Sequence, residues 1–161
     1  MYVVIWIALA VVAVLLAARF GVFAGRMPAD LGLRDGKLKP PSRTENSVSS
    51  QADLWPDAPQ KDYARIAPLP LVGGDAKATI ARIAAVVEDL PGARIVERRD
   101  DYLYAQFTTA LMRYVDDVEF WADPAAGVVQ VRSASRLGSK DFGVNRARIE
   151  SIRARLGASG A

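Results

Sequence analysis

An uncharged apolar run opens the chain, and it limits what the rest can be. Residues 1–18, MYVVIWIALAVVAVLLAA, hold no charge. Arg19 follows, and Phe20 to Ala24 extend the run to about 24 residues, enough for one helix to cross roughly 30 Å of hydrocarbon. Tyr2 and Trp6 suit one membrane interface, and Arg19 can snorkel to the other. The expectation is a transmembrane anchor over residues 1–24. The alternative is a signal peptide cut after Ala24. Against it, no basic stretch precedes the run, and the run is longer than a signal-peptide core. Orientation is read from the charges after the span: Arg19, Arg26, Arg34, Lys37 and Lys39 favour a cytoplasmic domain by the positive-inside rule, diluted by Asp30 and Asp35.

The rest of the 161 residues has room for one domain. The net charge is +3, from 21 basic and 18 acidic residues that are interspersed. That is not the basic face of a nucleic-acid binder, so no nucleic acid is expected. There is no cysteine and no histidine. Disulfides, thiol nucleophiles, zinc sites of the usual ligand type and imidazole chemistry are thereby excluded. An oxygen-only Mg²⁺ or Ca²⁺ site stays open. No cofactor and no metal site is assigned.

Residues 25–62 lack periodicity and are rich in Pro, Ser, Asp and Lys, so they read as a linker and an irregular, partly ordered segment. Tyr63 to Leu71 reads as a short edge strand, because Pro68 and Pro70 forbid a central one. Asp75 is the N-cap of a helix whose apolar stripe is Ile80, Ile83, Ala84, Val87 and Leu90. Residues 94–107 read as strand, charged break, strand. The next strands span Leu111 to Ala122 and Val128 to Ser135, joined by a turn at Asp123 to Gly127. A last helix starts near Asn145, taken as its N-cap, with Ile149, Ile152 and Leu156 inward. This order predicts an α+β two-layer sandwich over residues 63–157: an antiparallel sheet of at least three strands with two helices on one face. Residues 158–161 read as a disordered tail.

A polar cluster stands out between Tyr114 and Glu150. With a turn at Asp123 to Ala126, Asp117 pairs with Arg132, Glu119 with Gln130 and Asp116 with Ser133. Asp116 then shares the core face with Ser133 and Ser135. A carboxylate there needs a partner, and Asn145, Arg146, the hydroxyls and the amides of the last helix are the candidates. Asp117 and Arg132 read as an ion pair on a solvated face, and Glu119 as surface. Arg132, Arg136, Lys140 and Arg146, near a helix N-terminus, can either hold an anion or balance Asp116, Asp117 and Asp141. Ser133 and Ser135 lack an imidazole. Asp116 and Asp117 are neighbours pointing to opposite faces, so no catalytic residue is assigned.

These residues resemble a known family. Tyr114 to Phe120 (YVDDVEF), Val131 to Gly138 (VRSASRLG) and Asp141 to Arg146 (DFGVNR) together follow the pattern RSxSRxG…DxGxNRxR. With Leu31-Gly32, Gly36 to Leu38 and Val48 to Ala52 upstream, they make residues 30–157 similar to the Domain of Unknown Function 1499 family. The resemblance implies bacterial membrane-associated or exported proteins with plastid relatives, and no established activity. Family members often carry two cysteines upstream, where Pro41 and Ser47 stand here. The plastid relatives resemble lumenal proteins, which points to the periplasmic side of the inner membrane, against the charge rule. The functional expectation is a single-pass, membrane-tethered binding or accessory domain engaging a partner protein, a lipid or a small anion. Its polar cluster would be Asp116, Asp117, Arg132, Ser133, Ser135, Arg136, Asp141, Asn145 and Arg146. The alternative is a hydrolase-like or metal-assisted enzyme using Asp116, Asp117 and Arg132.

Overall fold

A computed structural model describes residues 2–158. The first element, α1 (Tyr2–Arg19), is 18 residues long, with mean hydropathy 2.4, and is the one described helix long and apolar enough to span a membrane. It stops short of the end of the apolar run. Gly21 adopts a φ of 77°, its N–H donates to the Ala18 carbonyl, and the Val22 N–H donates to the Ala17 carbonyl. That crossed pair of hydrogen bonds closes the last turn around a left-handed residue that glycine adopts at little steric cost.

The remaining elements are β1 (Ser47–Ser49), α2 (Lys61–Ala64), β2 (Leu69–Pro70), α3 (Ala76–Glu88), β3 (Ala93–Arg98), β4 (Tyr102–Thr108), β5 (Val115–Asp123), β6 (Val128–Ser135) and α4 (Val144–Ala158). The fold is α+β, an antiparallel six-stranded sheet in the order β1-β6-β5-β4-β3. β2 pairs with the start of β6 and β1 with its end, so the two short strands share one edge. β2 is what remains of the strand predicted over Tyr63 to Leu71, since α2 takes up the first residues of that stretch. The strand predicted from Leu111 begins at Val115, because residues 109–114 form the turn after β4.

α3 and α4 pack on one face of the sheet. Asp75 caps α3 as predicted, its carboxylate accepting from the Ala78 N–H at 2.9 Å. Ile80, Ile83, Ala84 and Val87 of α3 meet Ile149, Ile152 and Leu156 of α4. Both stripes bury against alternate residues of the central strands: Leu103, Ala105 and Phe107, then Val118, Phe120 and Ala122, then Val129 and Val131. Alternation with period two sends Asp116 to this inner face, and Asp117 and Glu119 to the other.

The β5–β6 register is Asp116 with Ser135, Asp117 with Ala134 and Glu119 with Arg132. It lies two residues from the predicted one because Asp123 still pairs with Val128, leaving a loop of Pro124 to Gly127. An even slip changes every partner but no face, so the predicted inside and outside survive.

The outer face is covered, and there the sequence reading fails. Residues 25–62, which show no periodicity, include β1 and lie across the sheet. Leu38 is fully buried and packs with Tyr102 and Tyr104, and Ala52 is also buried, while Val48 of β1 joins the inner-face core. Side chains satisfy much of this backbone in place of a ladder. Gln51 Oε1 accepts from the Leu38 N–H at 2.7 Å, Glu119 Oε1 from the Gly32 N–H at 2.7 Å, and Ser47 Oγ from the Ser42 N–H at 2.8 Å. The tail expected over residues 158–161 falls mostly outside the described residues, and Ala158 closes α4.

Candidate functional site

The predicted cluster is two clusters, one on each face of the sheet. On the inner face Asp116 is buried, and its partner is Arg148 of α4, not Arg146 or a helix amide. Arg148 Nη2 donates to Asp116 Oδ2, while Nη1 donates to Ser133 Oγ at 2.9 Å and to Asn145 Oδ1 at 2.7 Å. Ser133 Oγ donates to Asn145 Oδ1 at 2.5 Å, and the guanidinium lies 4.6 Å from the centroid of the Phe107 ring. Asn145 Nδ2 reaches Ser135 Oγ and the Asn46 carbonyl at 3.1 Å, and Asp141 Oδ2 at 2.8 Å. A saturated network of this kind fixes how α4 and β1 sit on the sheet.

Asn145 is therefore not the cap of α4. It is buried inside the first turn, and Asp141 does the capping. Asp141 accepts from the Gly143 N–H at 3.0 Å, from the Asn145 N–H at 3.1 Å, and from the Tyr63 hydroxyl. Burial pushes the Asp141 carboxyl up, but the Tyr63 hydroxyl and the Gly143 and Asn145 donors outweigh it and hold it below the usual 3.8. A depressed folded value means stabilisation present above about pH 4 and lost as pH falls through that value. Asp141→Ala should cost about 0.5–2 kcal/mol at pH 7, the usual worth of a cap. The gap in thermal unfolding between the variant and the parent should narrow as pH falls below 3.8.

Arg146 and Lys140 belong to neither cluster. Arg146 ties down the Tyr63 and Arg65 carbonyls at 2.6 and 3.0 Å, and Lys140 pairs with Glu45 in solvent at 3.1 Å. The four cations predicted to hold an anion are thus not gathered in one place. Asp116 and Asp117 face opposite sides, each held by its own arginine, so they do not converge on a substrate or an ion. Among the described residues no acidic cluster of metal-binding form occurs.

The outer cluster is not the solvated ion pair predicted. Asp117 is 1% exposed and Glu119 0%, and the outward side chains of β4, β5 and β6 lie under the irregular segment. Arg136, not Arg132, holds Asp117: Nε and Nη2 fork onto the two carboxylate oxygens at 2.8 and 2.7 Å. Tyr104 donates to the same carboxylate at 2.5 Å. Burial, then Asp117, pushes the Tyr104 phenol up to about 12. Burial likewise raises the Tyr102 phenol, which donates to Glu119 at 2.8 Å. Burial also raises the Glu119 carboxyl, and among the described residues its Oε2 has no hydrogen-bond partner.

Arg132 is the exception in this arrangement. Its side chain is only 4% exposed, yet its nearest carboxylate oxygen, Glu119 Oε2, is 3.7 Å away, beyond hydrogen-bond reach. Among the described residues its side chain makes one hydrogen bond, a long one, from Nε to the Pro40 carbonyl at 3.4 Å. Burial pushes the guanidinium pKa down. Arginine has five N–H donors, and the others of Arg132 face the cavity it lines.

Arg132 lines a cavity of about 390 Å³ together with Arg26, Lys39, Arg43, Arg136 and Asp117. Five cations face one lining carboxylate there. Asp30, which pairs with Lys39 at 2.6 Å, and Glu119 behind Arg132 are the other acids nearby, so two positive charges stay uncompensated. Among the described residues Arg26 and Arg43 have no acidic partner within 4.0 Å. The chain leaving α1 arrives at this spot: Gly25 runs against Arg136, where an added Cβ would come within 2.8 Å of the Arg136 Cβ.

Sequence reasoning missed Arg148, Glu119, Tyr104, Arg26, Lys39 and Arg43 as members of these clusters. Arg148 had a signal, since it lies three residues after Asn145 on the same helix face and closes the NRxR pattern. The cations of the irregular segment had none.

Among curated proteins and among solved structures, no match to this chain is found. The profile of one family, described as a protein of unknown function, DUF1499, matches residues 37–156, nearly all of the chain beyond α1 and the segment that follows it. Arg132, Arg136, Lys39 and Arg43, together with the inner-face network, all fall inside that match, and the chain belongs to the DUF1499 family.

Proposed function

We propose that this chain is a membrane-tethered binding domain that holds a small oxyanion of the phosphate type in the arginine-lined cavity on the outer face of its sheet. The observation that carries the reading is Arg132. Its side chain is 4% exposed and, among the described residues, makes one long hydrogen bond, so its remaining donors face the cavity, and an oxyanion there accepts charge-assisted hydrogen bonds from them. Arg136 is preset by its fork on Asp117, so its position costs little on binding. Arg26 and Arg43 add unpaired charge at the rim.

Titration calorimetry of the full chain in detergent with inorganic phosphate tests this. Binding is saturable and weakens with added salt. Arg132→Gln weakens it at least about tenfold, as expected for hydrogen bonds to a charged group worth about 1.5–3 kcal/mol. Arg94→Gln, at a cation on the far edge of the sheet, leaves it unchanged. No saturable heat in the parent protein, or equal binding by Arg132→Gln, contradicts the reading.

The helix α1 supports attachment to a membrane, and the domain is taken as extracytoplasmic on the family resemblance. Alkaline phosphatase fused to the C-terminus is active in that arrangement, whereas an inactive fusion returns the domain to the cytoplasm.

A further inference from the structure

The arginine-lined cavity does not end at its cations. A second cavity of about 390 Å³ adjoins it, and the two share Pro40, Pro41 and Arg43. Its walls are of a different kind. Four prolines, Pro40, Pro41, Pro56 and Pro59, line this cavity with Trp55 and Ala58, and Arg43 and Asp57 are its two charged residues. Proline offers no N–H, so the proline part of the wall presents ring carbons in place of donors, and among the described residues the buried Trp55 Nε1 has no hydrogen-bond partner. The paired Pro40-Pro41 stiffens the shared border, which lowers the ordering cost of binding there.

A cationic end continuous with an apolar end fits a molecule with the same polarity. The route from the bilayer is also short. Arg26 and Pro28 line the cationic end, and Arg26 is seven residues beyond Arg19, the last residue of α1. Seven extended residues reach at most about 25 Å. We infer that the occupant is a lipid phosphate, its phosphomonoester head on Arg132 and Arg136 and its hydrocarbon chain laid over Pro40-Pro41 onto Trp55. The inference rests on the anion reading above and adds the chemistry of the rest of the ligand.

The test uses the full chain in phosphatidylcholine nanodiscs with two soluble probes, inorganic phosphate and monohexyl phosphate. Monohexyl phosphate binds about 15-fold more tightly, a gain that two buried methylenes supply. Trp55→Ala removes that gain and leaves inorganic phosphate binding as it was. Pro59→Asp, at an exposed position where a carboxylate is easily hydrated, lowers the gain without a core change. Nanodiscs doped with phosphatidic acid weaken the apparent affinity for monohexyl phosphate, because the membrane then supplies the competitor. Equal affinity for the two probes overturns the lipid inference and leaves the anion site standing. A gain that survives both Trp55→Ala and Pro59→Asp, or no competition from phosphatidic acid, also overturns it. Failure of inorganic phosphate itself to bind removes the anion reading as well.

Discussion

Arg148→Ala should lower the unfolding free energy by about 3–5 kcal/mol, the cost of leaving a buried charge without its partner. Asp116 is 4% exposed, and among the described residues Arg148 is its ion partner. The same guanidinium also serves Ser133 Oγ and Asn145 Oδ1 and stacks on Phe107. Truncation therefore strands the carboxylate and a ring face, and leaves Ser133 Oγ and Asn145 Oδ1 with only their bond to each other at this point. The effect should be strongly non-additive with Asp116→Asn, because the neutral amide no longer requires the cation. Guanidinium unfolding of the parent, the two single variants and the double variant closes that cycle. A loss under about 1 kcal/mol for Arg148→Ala would mean that water reaches Asp116 and that the network does not hold α4 to the sheet.

Arg132→Met should be the second large loss, with a pH dependence that separates its cause from lost packing. At pH 7.5 the variant should be about 3 kcal/mol less stable, at the low end for a broken buried pair because the pair is loose at 3.7 Å. Glu119 is then fully buried with no cation beside it. Burial already holds its carboxyl above the usual 4.5, and losing Arg132 pushes it higher. With the folded value raised, the neutral form is favoured in the fold. Stability is therefore full below about pH 4.5 and falls as pH rises through the folded value. The gap between Arg132→Met and the parent should shrink at pH 4.5, and adding Glu119→Gln should recover most of it at pH 7.5. A gap that is flat with pH would assign the loss to packing of the arginine stem instead.

How far the sequence could be read depended on how each part satisfies its backbone. α3 was legible because Asp75 and its apolar stripe are local signals, and the β5–β6 hairpin because its faces alternate with period two. The misread register did little harm, since a slip of two residues leaves Asp116 inside and Asp117 and Glu119 outside. The outer face was misread for a different reason. Its cover, residues 25–62, has almost no ladder of its own. Its N–H groups find Gln51, Glu119 and Ser47, partners that no periodicity announces. Without that cover Glu119 looks like a surface residue and Arg132 like half of a solvated pair. β1 escaped for a related reason: Ser47-Val48-Ser49 is short and mostly polar, yet all three residues are buried against β6. Arg148 was visible in the pattern but not in its role, because α4 had to be docked before its third-residue spacing from Asn145 could matter.

The candidate anion site follows from that same covered face, so its test is also a test of the fold. Anomalous diffraction from crystals of the full chain grown with tungstate, a tetrahedral dianion, locates such a ligand without reference to stability or affinity. A single strong peak in contact with the Arg132 and Arg136 guanidinium groups is the expected result. Peaks only at exposed lysines, or none while Arg132 stays unpaired, would contradict an oxyanion site on the outer face.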